Sequence, residues 1–257
     1  MPKSFIRFFL VGAAILLVVG VAASQLLQNR AEKEAADKEY RVAIVDATPV
    51  ELGVLTEKQR SHSKLYSSYK QMTGGIRISE RIAQAQSKVL EMECYVGMVE
   101  AQAPETPESY FGRLATESDT IVRGKVTGKA SQVTEDDSFI FTDSEVLVIE
   151  VFKNNVASPL DIPVVITITL PGGKIVSNGI VFEVKEDAFS PLAITNHDVV
   201  LFLKFMPETG TYRATQATGA FEIDGSTLKP LTGLSFPPGV LRDGDSFLET
   251  TRLVSKK

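Results

Sequence analysis

Two histidines in 257 residues narrow the chemistry open to this chain. Histidine is the commonest general base and zinc ligand, because its ring titrates near neutrality and its neutral nitrogen binds metal. His62 lies in Ser61-His62-Ser63 on a polar helical stretch and reads as a surface residue. His197, in Asn196-His197-Asp198 just before a strand, reads as a turn residue at a sheet rim. A zinc site using both would have to join segments 135 residues apart and recruit carboxylates as well. Ser235, in Gly233-Leu234-Ser235-Phe236-Pro237, lacks the closing glycine of a nucleophile elbow. Gly173-Lys174 lacks the upstream glycine and the following Ser or Thr of a phosphate loop. Met206-Pro207-Glu208-Thr209-Gly210 has the letters of a sorting signal but no hydrophobic tail after it, so a hairpin turn explains it better. Glu135, Asp136, Asp137, Asp143 and Glu145 offer oxygen ligands for a calcium ion, yet their spacing matches no calcium loop and reads as solvated acidic turns. Cys94 is the only cysteine, so no internal disulfide or thiolate cluster can form. Its neighbour Glu93 disfavours the thiolate, and a buried structural thiol is expected. The residues therefore nominate no catalytic, cofactor-binding or metal-binding set, and no cofactor.

The elements that would position any site are clearest in Val164 to Gly173. Ile166, Ile168 and Leu170 alternate with Thr167 and Thr169, the period of a strand with one buried and one wet face. Gly172-Gly173 then predicts a two-residue hairpin turn, with Lys174-Ile175-Val176 running back along the strand. Further strands are expected at 120–128, 138–152, 174–184, 199–205, 212–216 and 221–223, separated by turn residues such as Asn154-Asn155, Thr209-Gly210 and Asp224-Gly225. Ahead of them, Arg41 to Ala47 predicts a short strand stopped by Thr48-Pro49. Thr56 with Gln59 predicts a capping box and a helix to about Lys70. Ser79 predicts the cap of a helix over 80–91, and Tyr95 to Val99 a strand. Thr106-Pro107 predicts a helix to about Glu117. Residues 226–257 read as a packed-down or loose tail with a short helix near Ser246 to Val254. The fold class is α+β: an N-terminal hydrophobic helix, a small mixed region, and an antiparallel β-barrel or sandwich. The domain plan is 1–40 hydrophobic segment and charged helical stalk, 41–118 mixed α/β region, 119–225 β-domain, and 226–257 tail.

The N-terminal segment predicts the address. Lys3 and Arg7 precede an apolar run from Phe8 to Ala23, whose sixteen residues reach ~24 Å against a hydrocarbon layer of ~30 Å. Including Phe5, Ile6, Leu26 and Leu27 makes a membrane span over residues 5–27 feasible. Two readings stand: an uncleaved anchor, or a signal peptide cut near Ala23, where Val21 and Ala23 are suitably small. Either leaves the N-terminus inside and the rest extracytoplasmic.

The order Ser118-Asp119-Thr120-Ile121-Val122-Arg123-Gly124-Lys125-Val126, the later Phe152-Lys153-Asn154, Leu170-Pro171-Gly172-Gly173, and Val199-Val200-Leu201-Phe202-Leu203 before Tyr212 resembles a group of uncharacterised exported bacterial β-domain proteins. In plan it also resembles the oligonucleotide/oligosaccharide-binding (OB) barrel of netrin-like and metalloproteinase-inhibitor domains, over about 118–225. The resemblance implies an exported OB-like barrel. It does not imply protease inhibition, which in that family uses an N-terminal cysteine and disulfides. Nucleic acid is not an expected partner. Residues 119–225 hold eight Lys and Arg against fifteen Asp and Glu, a net of −7 where phosphate binding needs a positive surface. The expectation is a non-enzymatic, membrane-tethered envelope protein that binds a protein or glycan. The alternatives are an envelope hydrolase with a carboxylate pair, or a structural spacer.

Overall fold

The computed structural model describes residues 25, 28–71, 75, 77–94, 106–186, 192–215, 219–231 and 243–256. The expected N-terminal apolar helix and the strand at 95–99 lie outside them. Among the described residues, no helix is long and apolar enough to cross a membrane. The chain forms two compact units, Met1–Val45 and Asp46–Lys257.

In the first unit, residues 28–44 form helix α1. Side-chain pairs one turn apart, Gln28 to Glu32 (3.2 Å) and Arg30 to Glu34 (3.0 Å), line its exposed surface. The expected strand at Arg41 to Ala47 does not form, since the helix runs to residue 44 and strand β1 is Thr48–Pro49 itself. A β-branched run makes a strand only where a partner ladder exists, and Val42 and Val45 are exposed.

The second unit contains two sheets. The larger runs in the order β11-β10-β8-β3-β4-β5-β9, and β8 also pairs with β9. Its strands are β3 (Thr120–Val133), β4 (Ile140–Lys153), β5 (Val164–Pro171), β8 (Asp198–Met206), β9 (Thr211–Ala214), β10 (Ala220–Asp224) and β11 (Thr227–Pro230). All pairings in it are antiparallel except β5 with β9. The smaller sheet has the order β1-β6-β7-β2, with β6 at Gly173–Ser177, β7 at Ile180–Glu186 and β2 at Val89–Cys94.

The Gly172-Gly173 turn departs from the hairpin expectation. Both glycines do have positive φ (82° and 142°). The chain nevertheless leaves β5 for the other sheet: β5 pairs with β4 and β9, and β6 with β1 and β7. Alternation specifies which face of a strand is buried but not which strand lies beside it. Nor is the threonine side of β5 wet throughout. Thr169 is buried, because Tyr66 of the 3-10 helix η1 (Lys64–Gln71) covers it and their hydroxyls bond at 2.9 Å.

Helices close the remaining faces. Helix α2 (Glu57–Ser63) starts on the expected Thr56–Gln59 capping box and continues into η1. Helix α3 is shorter than expected, Ile78–Ala83, since Val89–Cys94 is drawn into the parallel β2–β7 ladder. Its N-cap is Arg77 rather than Ser79. The end is satisfied from afar, with Ser79 N–H and hydroxyl both donating to the Asp137 carboxylate. Helix α4 (Pro107–Glu117) begins on Thr106, as expected. After residue 225, β11 pairs with β10, and α5 (Gly244–Val254), capped by Asp243, falls where a short helix was expected near Ser246 to Val254 and buries Phe247 and Leu248.

Three apolar clusters result. Val122, Val146, Ile166, Leu201, Leu203 and Tyr212 gather side chains from β3, β4, β5, β8 and β9 into one. Phe111 and Leu114 of α4 and Phe247 of α5 pack on Phe202 and Phe221 in the second. Tyr66, Ile78, Ile82, Met92, Phe139, Phe141 and Phe182 form the third, joining the smaller sheet and its helices to the far end of the β3–β4 hairpin.

Candidate functional site

Between residues 48–56 and the far end of β3 lies a cavity of about 660 Å³. Its wall is built by local rules. Thr48–Pro49 pairs with Ile175 and Val176 of β6, and Val50 N–H donates to Val176 C=O (3.0 Å). Six residues later the capping box fixes the chain again: Thr56 N–H to Gln59 Oε1 (2.7 Å) and Gln59 N–H to Thr56 Oγ1 (3.2 Å). Between these anchors, Val50, Leu52, Val54 and Leu55 line the space. Ala130 to Glu135 form the opposite wall, and Arg60 and Arg77 contribute cations. Arg60 lies 3.9 Å from Glu135, an open, solvent-screened pair.

Behind the cavity is a buried polar network. His62 Nδ1 meets Asp143 Oδ2 at 2.8 Å, and Gln132 Nε2 donates to the same oxygen at 3.1 Å. His62 is 1 % exposed, Asp143 6 % and Gln132 8 %. His62 is thus not the surface residue its polar neighbours suggested. Phe141 lies beside its ring, and Asp143 fixes the ring from the sheet. A His–Asp pair is the core of many general-base systems. Enclosed as it is, this one serves as a clasp between α2 and β4. Among the described residues, two acceptors of this network, Asp143 Oδ1 and Gln132 Oε1, find no hydrogen-bond partner.

The other nominated residues are dispersed. His197 sits in a surface ion cluster, its Nδ1 3.1 Å from Glu222 and its Nε2 3.3 Å from Asp224, with Lys229 3.1 Å from Asp224. The Lys229 hydrogen bond, helped by the nearby His197, holds the Asp224 carboxyl below its ordinary range, and Asp224 in turn raises the Lys229 ammonium. Asp136 closes the β3–β4 turn by accepting from Thr134 and Ser138 hydroxyls (2.8 and 2.7 Å). Asp137 holds α3, Asp143 holds His62, and Glu145 is exposed. The acidic residues therefore do not converge, and no group of three or more His, Cys, Asp or Glu able to hold a metal occurs among the described residues. Cys94 is buried at 1 % exposure in the third cluster. Ser235 lies outside the described residues. Gly173-Lys174 is no phosphate loop: Lys174 N–H donates to Ser131 Oγ (3.1 Å) and its ammonium lies 3.4 Å from Glu183.

Sequence reading passed over Gln132, Arg60, Arg77 and the apolar residues of 50–55. The one local signal near them was the capping box, which marks a helix start and says nothing of the space beside it. Comparison with protein-family models and with curated proteins finds no match.

Proposed function

We propose that this chain is an exported, membrane-tethered binding protein of the cell envelope, without catalytic activity of its own, which receives an envelope protein or glycan in the cavity beside β3. The observation that carries the reading is the cavity: about 660 Å³, within the range of ligand sites, with apolar residues on one wall and polar groups on the other. Residues 5–27 supply the tether as an uncleaved helix, or direct export as a signal cut near Ala23, and Lys3 and Arg7 orient the segment with the remainder outside. An OB-type barrel over about 118–225 is the reading of the β-domain. It is supported by the pairing circuit β8-β3-β4-β5-β9 and back to β8, by the single parallel step between β5 and β9, and by the apolar cluster all five strands share. The net charge of −7 over residues 119–225 disfavours nucleic acid as the ligand.

A hydrolase reading would need two close, buried carboxylates facing the cavity. Glu51 and Glu135 are exposed there and Asp137 is occupied by Ser79, which favours binding over hydrolysis. The test uses the full chain with a C-terminal tag. It should fractionate with membranes, or outside the cytoplasm if cleaved, and co-purify an envelope protein or glycan that is lost in the cavity-filling variant Val54→Trp. A full-length protein soluble in cytoplasm, or co-purification indifferent to Val54→Trp, overturns the reading.

A further inference from the structure

We propose that the cavity's ligand is a glycan carrying an N-acylated amino sugar, held by its acyl methyl and its amide N–H. The inference rests on the binding reading above and names the class of ligand. Its basis is what the buried part of the cavity wall still has to offer. Ser131 to Thr134 make up that part. Most of its polar groups are committed. Ser131 N–H donates to Thr48 Oγ1 (2.8 Å), and Ser131 Oγ is engaged by Thr142 Oγ1 (2.9 Å) and Lys174 N–H (3.1 Å). Thr134 N–H donates to Phe139 C=O (2.9 Å) and its hydroxyl to Asp136 (2.8 Å). Of the buried side-chain atoms in this wall, Gln132 Oε1 alone lacks a partner among the described residues. Its character is fixed from behind. A carboxylate oxygen accepts, and Asp143 Oδ2 takes the bond from Gln132 Nε2 (3.1 Å), so the amide presents its oxygen as the remaining end. Gln132 therefore asks for an N–H or O–H donor.

That donor must be uncharged. The buried wall residues carry no charge, and the Asp143 carboxylate behind them is already met by His62 (2.8 Å) and Gln132. An ammonium brought there would lose its water without a free counter-charge. Opposite Gln132 the wall is aliphatic, with Val50, Leu52 and Leu55 half-buried, and no aromatic ring occurs among the described lining residues. The apolar contact on offer therefore suits a small aliphatic group rather than the stacked face of a sugar ring. An acetamido group meets both demands, with a methyl for the aliphatic wall and a neutral N–H for Gln132. The rim suits the rest of such a sugar. Glu51, Glu135, Arg60 and Arg77 are exposed there. Ring hydroxyls both donate and accept, so a neutral polyol serves carboxylates and guanidiniums alike. A peptide also brings an amide N–H, but it is held along a strand by main-chain bonds, and the Ser131 and Thr134 N–H groups are taken.

The probes are three trisaccharides of one linkage that differ in a single substituent per sugar: tri-N-acetylchitotriose (acetamido), cellotriose (hydroxyl) and chitotriose with its amines protonated (ammonium). Each is titrated into the full-length protein in detergent and followed by calorimetry. The acetylated sugar should bind. Cellotriose, which loses the methyl contact, should bind about fivefold more weakly, and chitotriose, which brings an unmatched charge, at least about tenfold more weakly. Val54→Trp, which fills the cavity, should abolish binding of the acetylated sugar. Gln132→Met, which keeps the length and removes the acceptor, should weaken it by about fivefold. Should that variant misfold by circular dichroism, the sugar series decides alone. Equal binding of the acetylated sugar and cellotriose, or no binding of any of the three, overturns the proposal. An envelope protein that co-purifies and is lost in Val54→Trp, with no sugar bound, overturns the glycan and leaves the binding reading standing. Sugar binding indifferent to Val54→Trp overturns both.

Discussion

Replacing Gly173 by alanine tests the path of the chain at its least expected point. Gly173 stands at φ 142°, a backbone conformation that L side chains rarely adopt, and an added Cβ would fall 2.6 Å from Ser131 Oγ and closer still to Thr142 Oγ1. Those hydroxyls are committed. Ser131 Oγ bonds Thr142 Oγ1 (2.9 Å), Thr142 donates to Gly172 C=O (2.8 Å), and Lys174 N–H donates to Ser131 Oγ (3.1 Å). The backbone strain costs about 1–2 kcal/mol, and displacing the hydroxyls forfeits two or three hydrogen bonds at roughly 1 kcal/mol each. The sum is about 3–5 kcal/mol. Gly179→Ala is the control: φ is 73° and nothing lies within 4 Å of its Cβ, so only the strain of about 1–2 kcal/mol applies. In urea titrations of the full chain in mild detergent, followed by circular dichroism, Gly173→Ala should lower the midpoint by roughly 1.5–2.5 M, taking m near 2 kcal/mol/M. Gly179→Ala should lower it by less than half as much. Equal shifts for the two variants would refute the reasoning, since they would place Gly173 in an open hairpin turn rather than against the β3–β4 hydroxyls.

Other perturbations read other joints. His62→Ala leaves the Asp143 carboxylate buried with Gln132 as its remaining donor and should cost about 2–4 kcal/mol in the same titration, far more than a surface histidine would. Lys153→Met should cost about 1–3 kcal/mol and raise amide exchange at the end of α4, because the Lys153 ammonium holds the carbonyls of Ala115 and Ser118 at 2.8 and 2.7 Å. Thr56→Ala removes the capping box and should cost about 1 kcal/mol, with exchange rising in α2. The Asp243 carboxyl, lowered by the hydroxyl and N–H of Ser246, and Asp224, lowered chiefly by Lys229, each have a folded pKa below the ordinary 3.8. Their stabilisation is present above that value and is lost as pH falls through the folded pKa. Stability should therefore decline below about pH 4, and Asp243→Asn should flatten that decline when midpoints are measured across pH.

Local chemistry made much of this molecule legible in its sequence. Thr56 with Gln59, Thr106 before Pro107, and the alternation of Val164 to Leu170 each act within a few residues, through a hydrogen bond or a face, and each produced the expected element. A helix also formed at residues 28–44, with charge pairs one turn apart. Tertiary pairing decided the rest. Val89 to Glu91, the end of the helix expected over 80–91, became strand because β7 lay alongside, and Gly172-Gly173 had the φ angles of a turn yet carried the chain into a second sheet. His62 looked solvated from its serine neighbours and was buried by Asp143, 81 residues away. The cavity had no local signature at all. It lies between the end of β3 and residues 48–56, which β6 holds at Thr48–Pro49 and the capping box at Thr56, and the β6 partner is distant in the chain. Short-range bonds are written in adjacent residues, whereas which strands lie side by side is settled only when every strand has found its neighbour.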